Sequence, residues 1–168
     1  MFWALRGGGA GSWGVIISAT LKTFPTFLAT EQTAIYLTGN NERTGSFMEL
    51  HARHIFDMDA AHAGQYFTIA PVNLDTNVAF IVTIFANFHR AEAMSALQGF
   101  TAEAEMQGFQ LLSENAKVAL ANDIVYKEKD FLGGNVILGS RLIPADVYRS
   151  NAKGVGKTYT KLLDLEYP

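Results

Sequence analysis

The sequence predicts an α+β fold, an antiparallel sheet with helices packed on one face, in which a ferredoxin-like βαββαβ core carries an additional strand and a C-terminal helix. Three observations predict it. Between residues 33 and 114, short β-branched or alternating runs are interleaved with two longer runs of helical period. Their order is strand, helix, strand, strand, helix, strand, which is that of a split βαβ unit. The middle two strands are joined by Val72-Asn73-Leu74-Asp75-Thr76-Asn77, whose turn chemistry suits a hairpin.

Taken in order, residues 15–24 alternate partly and are β-branched at the start, which predicts a strand ended by Pro25. Residues 33–38 predict a second strand, closed by Gly39-Asn40-Asn41. A helix follows, with Phe47, Leu50, His54 and Met58 on one face and Gly64 as a stop. Residues 65–71 and 78–88 are the hairpin strands. Residues 90–107 predict a second helix with Ala93, Leu97, Phe100 and Ala104 on one stripe, ended by Gly108. Residues 109–114 close the core. A late strand is expected at 136–143 and a final helix at 145–165, entered through Pro144 and Asp146. The 78–88 strand is apolar at almost every position, so both of its faces want cover, and helices on one side can supply only half of it.

The chain has 168 residues, enough to bury about 70% of its unfolded surface in one core. Charged residues are 17% of it, against about 25% in a typical soluble protein, and 49% are hydrophobic, which points to a covered face in a dimer, under a partner or around a ligand. The formal charge is −3 with no basic stripe, which argues against nucleic acid. No cysteine is present, which excludes disulfides and sulfur-ligated zinc. With no secretory pattern at its start and no run of apolar residues long enough to span a bilayer, the chain is expected in the cytoplasm.

Several motifs fail on inspection. Gly9-Ala10-Gly11-Ser12-Trp13-Gly14 has the dinucleotide spacing, but a strand must precede it and a helix follow it, and here the order is reversed. Gly156-Lys157-Thr158 lacks the first glycine of a phosphate-binding loop, since Asn151 stands there. His51, His54 and His62 fit no recognised zinc spacing, and no metal is expected. No serine sits on a strand-to-helix elbow.

The run Phe2-Trp3-Ala4-Leu5-Arg6-Gly7-Gly8-Gly9-Ala10-Gly11-Ser12-Trp13-Gly14-Val15-Ile16 is more specific. It resembles the closing segment of the FAD-binding domain in berberine-bridge-enzyme-like oxidases, flavoproteins of the vanillyl-alcohol-oxidase type with a PCMH-type FAD-binding domain. Trp3, Arg6, Gly7, Gly8, Gly9, Gly11, Trp13, Gly14 and Val15 keep the family pattern, while Ala10 replaces a glycine and Ser18 stands where threonine is usual. Leu138-Gly139-Ser140-Arg141-Leu142-Ile143-Pro144 is similar to a segment of the family's substrate domain. The resemblance implies that residues 1–25 are the end of an FAD-binding domain and residues 26–168 a substrate-binding α+β domain. It implies FAD as the family cofactor, with Gly11, Gly14 and Val15 near it if it binds. It also implies that the sheet face left open by the helices roofs the active site. Most of the flavin domain would be missing, so the isolated chain is expected to hold no FAD tightly.

Candidate site residues follow from the strands that would line that face. Tyr66, Asn87 and Arg141 are the catalytic candidates: tyrosine as acid or hydrogen-bond donor, asparagine and arginine to polarise a carbonyl. Thr68, Ile81, Thr83 and Phe85 are the substrate-binding candidates, provided that they point away from the helices; otherwise the set rims an interface or faces water. The expected function is binding of a small hydrophobic natural-product-like compound. A cofactor-free cyclase or isomerase, and a non-catalytic structural or partner-binding fragment, are the alternatives. A homodimer or a complementary flavin-domain chain is the expected partner.

Overall fold

The computed structural model describes residues 15, 17, 18, 20–73, 75–125 and 142–166. Four strands form the sheet: β1 (Leu28–Gly39), β2 (Ala63–Asn73), β3 (Thr76–Ala86) and β4 (Gln110–Leu120). Their order is β2-β3-β1-β4, and every neighbouring pair is antiparallel. β1 and β2 therefore run parallel with β3 inserted between them. That is the split βαβ arrangement, and the ferredoxin-like core expected from the sequence is present.

The helices α1 (Asn41–Ala60) and α2 (Arg90–Met106) cover one face. Gly39, at φ +81°, turns the chain out of β1, and the Asn40 side chain then accepts the Arg43 amide at 3.0 Å to cap α1. At the start of α2 the Glu92 carboxylate accepts the His89 amide at 2.8 Å. Ala93, Leu97, Phe100 and Ala104 are all buried, as their spacing predicts. Gly108, at φ +74°, ends that helix and leads into β4. Arg43 ties the two helices' ends together. Its guanidinium donates to the carbonyls of Gln107 and Gly108 at 2.8 and 2.9 Å and lies 4.7 Å over the Phe109 ring.

Strand β4 runs beyond the predicted 109–114 and continues into α3 (Ala121–Val125). Two expectations change. The described residues among 15–24 have no regular structure and are exposed, because alternation alone does not hold a strand that has no ladder partner. The final helix is two: α4 (Ala145–Ser150) and α5 (Ala152–Glu166). The break is Asn151, whose side chain accepts the Gly154 amide at 3.0 Å and so starts a new helix rather than continuing the old one. The late strand expected at 136–143 lies outside the described residues except for Leu142 and Ile143, which have no regular structure.

α5 forms a third layer on the back of α1, and glycines set how close the two helices come. A Cβ on Gly156 would lie against the Gly45 carbonyl and 3.0 Å from Glu49 Cβ; one on Gly45 would meet the Thr160 hydroxyl and, at 2.9 Å, the Gly156 carbonyl. Across the sheet, α1 is held by a buried polar chain. Gln65 Nε2 donates to Thr83 Oγ1 at 2.8 Å, and Gln65 Oε1 meets His51 Nε2. Burial holds the His51 imidazole below its ordinary value of 6.5; the Gln65 bond opposes this and the neighbouring His54 adds to it. Between α1 and α2, Glu103 pairs with His54 at 2.7 Å and with Arg53, and these partners, the His54 bond foremost, hold its carboxyl below the usual range.

Gly156→Ala will destabilise the chain by about 1–3 kcal/mol in denaturant titration, although alanine is the better helix former by about 1 kcal/mol, because the added methyl forces α5 off α1. The His51 shift gives a pH dependence with a definite sign. Below 6.5 the unfolded chain takes up a proton that the folded chain refuses, so stability is full above that value and falls as the pH drops toward the folded-state one. Unfolding measured from about pH 7.5 to about pH 5.5 will show this loss, and His51→Gln will flatten it.

Candidate functional site: the open face of the sheet

Strand alternation sends one set of side chains under α1 and α2 and the other set to the opposite face. On β1 the set Thr30, Gln32, Ala34, Tyr36 and Thr38 is buried beneath the helices, and Thr33, Ile35 and Leu37 are half-buried on the other side. α4 and α5 add nothing to that side, since both pack on α1.

Register assembles the open face row by row. Tyr66, Val82, Thr33 and Asn115 form one row across β2, β3, β1 and β4, and Thr68, Phe80, Ile35 and Ser113 form the next. A third row has Gly64, Ile84, Glu31 and Lys117, so the two charges stand directly opposite each other on β1 and β4. The centre of the face is thus a flat apolar wall of Ile35, Phe80, Val82 and Ile84. Its rim carries the Tyr66 phenol, 72% exposed, and the Thr68 hydroxyl. Lys117 is the single cation at these positions.

The structure brings Tyr66 and Thr68 together on this face and separates them from the other candidates. Ile81, Thr83 and Phe85 point to the opposite side and are buried in the core beneath the helices. The physical reason is register: Tyr66 pairs with Val82, while Thr83 pairs with Gln65 and accepts its hydrogen bond. Because β3 is apolar on both faces, its composition carries no information about which set points where. The residues sequence reasoning missed are their neighbours Phe80, Val82 and Ile84, with Thr33 and Ile35 beside them; the polar pair Gln65 and Thr83, one on each hairpin strand, was the available signal. Asn87 is exposed in the turn after β3 at φ +58°, its amide bonded to the Leu28 carbonyl at 2.8 Å. It lies five residues beyond Val82, about 16 Å along the strand, and does not join Tyr66. Arg141, Gly11 and Gly14 lie outside the described residues. Val15 is 92% exposed.

The helix side has its own chemistry. The Tyr36 hydroxyl is sealed in the core with no partner among the described residues, and burial, with Glu114 adding to it, pushes it up to about 12. His51 and His54 turn to different partners, and among the described residues no three potential ligands converge on a metal position. No helix among them is long and apolar enough to cross a membrane.

No family model matches the chain. In sequence it is similar to fungal proteins. It is 26% identical over 164 residues to the FAD-linked oxidoreductase ZEB1 of Gibberella zeae, covering 88% of this chain and 27% of that protein. It is 29% identical over 157 residues to the FAD-linked oxidoreductase patO of Aspergillus clavatus, covering 90% and 27%. An uncharacterized FAD-linked oxidoreductase of Arthroderma benhamiae is 29% identical over 159 residues, covering 84% and 26%. The chain therefore spans about a quarter of the length of the curated relatives it matches. In fold it is similar to the VAO-type flavoprotein MtVAO615 of Myceliophthora thermophila C1, with a TM-score of 0.68 at 18% identity over 98% of this chain and 29% of that one. In sequence the chain is thus similar to a part of fungal FAD-linked oxidoreductases, and in fold to a part of a VAO-type flavoprotein.

Proposed function

We propose that this chain is the substrate-side portion of such an oxidoreductase, and that its open sheet face is the wall against which a small hydrophobic, natural-product-like compound lies. The observation that carries the reading is the row structure of that face. An apolar centre of Ile35, Phe80, Val82 and Ile84 with a few hydroxyls at its edge is what a site for a largely apolar molecule needs. Tyr66 and Thr68 orient the compound by hydrogen bonds, and the flat centre excludes water from its other side.

When bound in the whole enzyme, FAD supplies the two-electron acceptor. The described residues suit a planar apolar group and not a dinucleotide's pyrophosphate, because the one cation that they place in the rows of the open face, Lys117, stands opposite Glu31. The isolated chain accordingly does not retain FAD, and its residues bind and orient rather than carry the redox step. Tyr36, His51, Glu103 and Tyr159, whose proton affinities burial or pairing displaces, all belong to the helix side. That placement favours a binding role over acid–base catalysis for the open face.

The reading is checked on the purified chain in two steps. Incubation with FAD followed by desalting will leave no flavin absorbance band. The fluorescent apolar probe 1-anilinonaphthalene-8-sulfonate will bind roughly tenfold more weakly to the Phe80→Asn/Ile35→Asn variant, about 1.4 kcal/mol, and unchanged to Met106→Asn, which removes an exposed apolar side chain elsewhere. A retained flavin band, or equal probe binding by all three proteins, would overturn it.

A further inference from the structure

A second cavity lies behind the sheet, between α1, β2 and the two C-terminal helices. Its volume is about 310 Å³, within the range of small-molecule sites. Met48, Met58 and Phe67 line it from α1 and β2, Tyr148 from α4 and Tyr159 from α5. The Arg149 guanidinium, 4.3 Å over the Phe56 ring, holds α4 against α1 and so keeps that wall in place. Desolvation by the same surroundings raises the Tyr159 phenol.

One buried polar side chain lines this cavity with an unused atom. His51 is 7% exposed, and it lines this cavity. Its protonation pattern follows from its neighbours. Gln65 uses its amide nitrogen to donate to Thr83, so its oxygen faces the imidazole and must accept from Nε2–H. In a neutral ring the other nitrogen, Nδ1, is then a bare acceptor. It has no hydrogen-bond partner among the described residues. Unlike the Tyr36 hydroxyl it is not sealed off, and its side chain lines the cavity. An acceptor without a protein partner is free to take a donor that arrives with the ligand.

The charges narrow the ligand further. Among the described residues Asp59 is the single formally charged side chain in the lining, and no cation lines it to receive a carboxylate or phosphate. Thioethers and aromatic rings favour a flat, polarisable partner. We propose that this cavity binds an uncharged one- or two-ring aromatic molecule that donates a single N–H or O–H hydrogen bond to His51 Nδ1, at a site separate from the open sheet face.

Indole and benzofuran, which share a shape and differ in the N–H, are the probes. Calorimetric titration of the full chain will show indole binding roughly tenfold more tightly than benzofuran, and His51→Leu will erase the difference. In the unaltered chain labelled with ¹⁵N, the His51 Nδ1 resonance will move with indole and stay still with benzofuran, a readout that does not depend on a variant folding. Ile55→Trp, which fills the cavity from its half-exposed wall, will abolish indole binding with an unchanged circular dichroism spectrum. Phe80→Asn/Ile35→Asn will leave it intact, which separates this site from the open face. No indole binding, equal binding of the two probes, or an unmoved Nδ1 resonance would overturn the proposal.

Discussion

The aromatic ring of Phe47 is the contact on which the rest of the structure depends. It is fully buried and stands 5.2 Å from Tyr36 on β1, 6.1 Å from Phe67 on β2, 5.7 Å from Phe100 on α2 and 4.9 Å from Phe109 before β4. A single side chain of α1 thus touches one of the two central strands, an edge strand, the second helix and the entry to the other edge strand. The Phe100 and Phe109 contacts are edge-on, the arrangement in which aromatic pairs gain beyond simple burial. Losing that ring would leave a void bordered by four elements, and cores do not close such voids without moving their walls.

From this one-sided core follows the division of labour between the faces. Both helices are committed to the cluster around Phe47, so β3 keeps an apolar strip on the other side, with Phe80 still 40% exposed. A sheet that is apolar on both sides and covered on one has a surface ready for a ligand or another domain. The helix side, by contrast, mixes polar groups into the core: Gln65 between His51 and Thr83, Thr38 against Thr44 at 2.9 Å, and Gln32 donating to Glu114 at 2.9 Å. The His51–Gln65 and Thr38–Thr44 bonds join helix to sheet and fix how α1 sits on it, while Gln32–Glu114 ties β1 to β4.

Similarity to the fungal FAD-linked oxidoreductases fits this picture. The chain matches about a quarter of such proteins and carries a hydrophobic core of its own. The back cavity beside His51 belongs to the opposite side and draws on the C-terminal helices. The two surfaces are therefore separated by the full thickness of the sheet and the side chains on it.

The sequence by itself determined the order of the core elements, the two helices, the buried stripe of α2 and that of α1 except at His54, which is half-buried while His51 is buried. Ala93, Leu97, Phe100 and Ala104 recur at helical spacing, and the glycines at 39 and 108 stand where the backbone takes positive φ. These are local properties, set by neighbours along the chain. Which side of β3 faces the helices was decided only by tertiary structure. Thr83 and Val82 are adjacent in a run that is apolar at almost every position, and only the pairing of Tyr66 with Val82 tells them apart. The same holds for the described residues among 15–24, which pair with no described strand, and for Asn151, where a capping side chain outcompeted a continuous helix. The His51 cavity is the furthest from local pattern, since it joins side chains from α1, β2, α4 and α5 that meet only once the sheet and helices have packed.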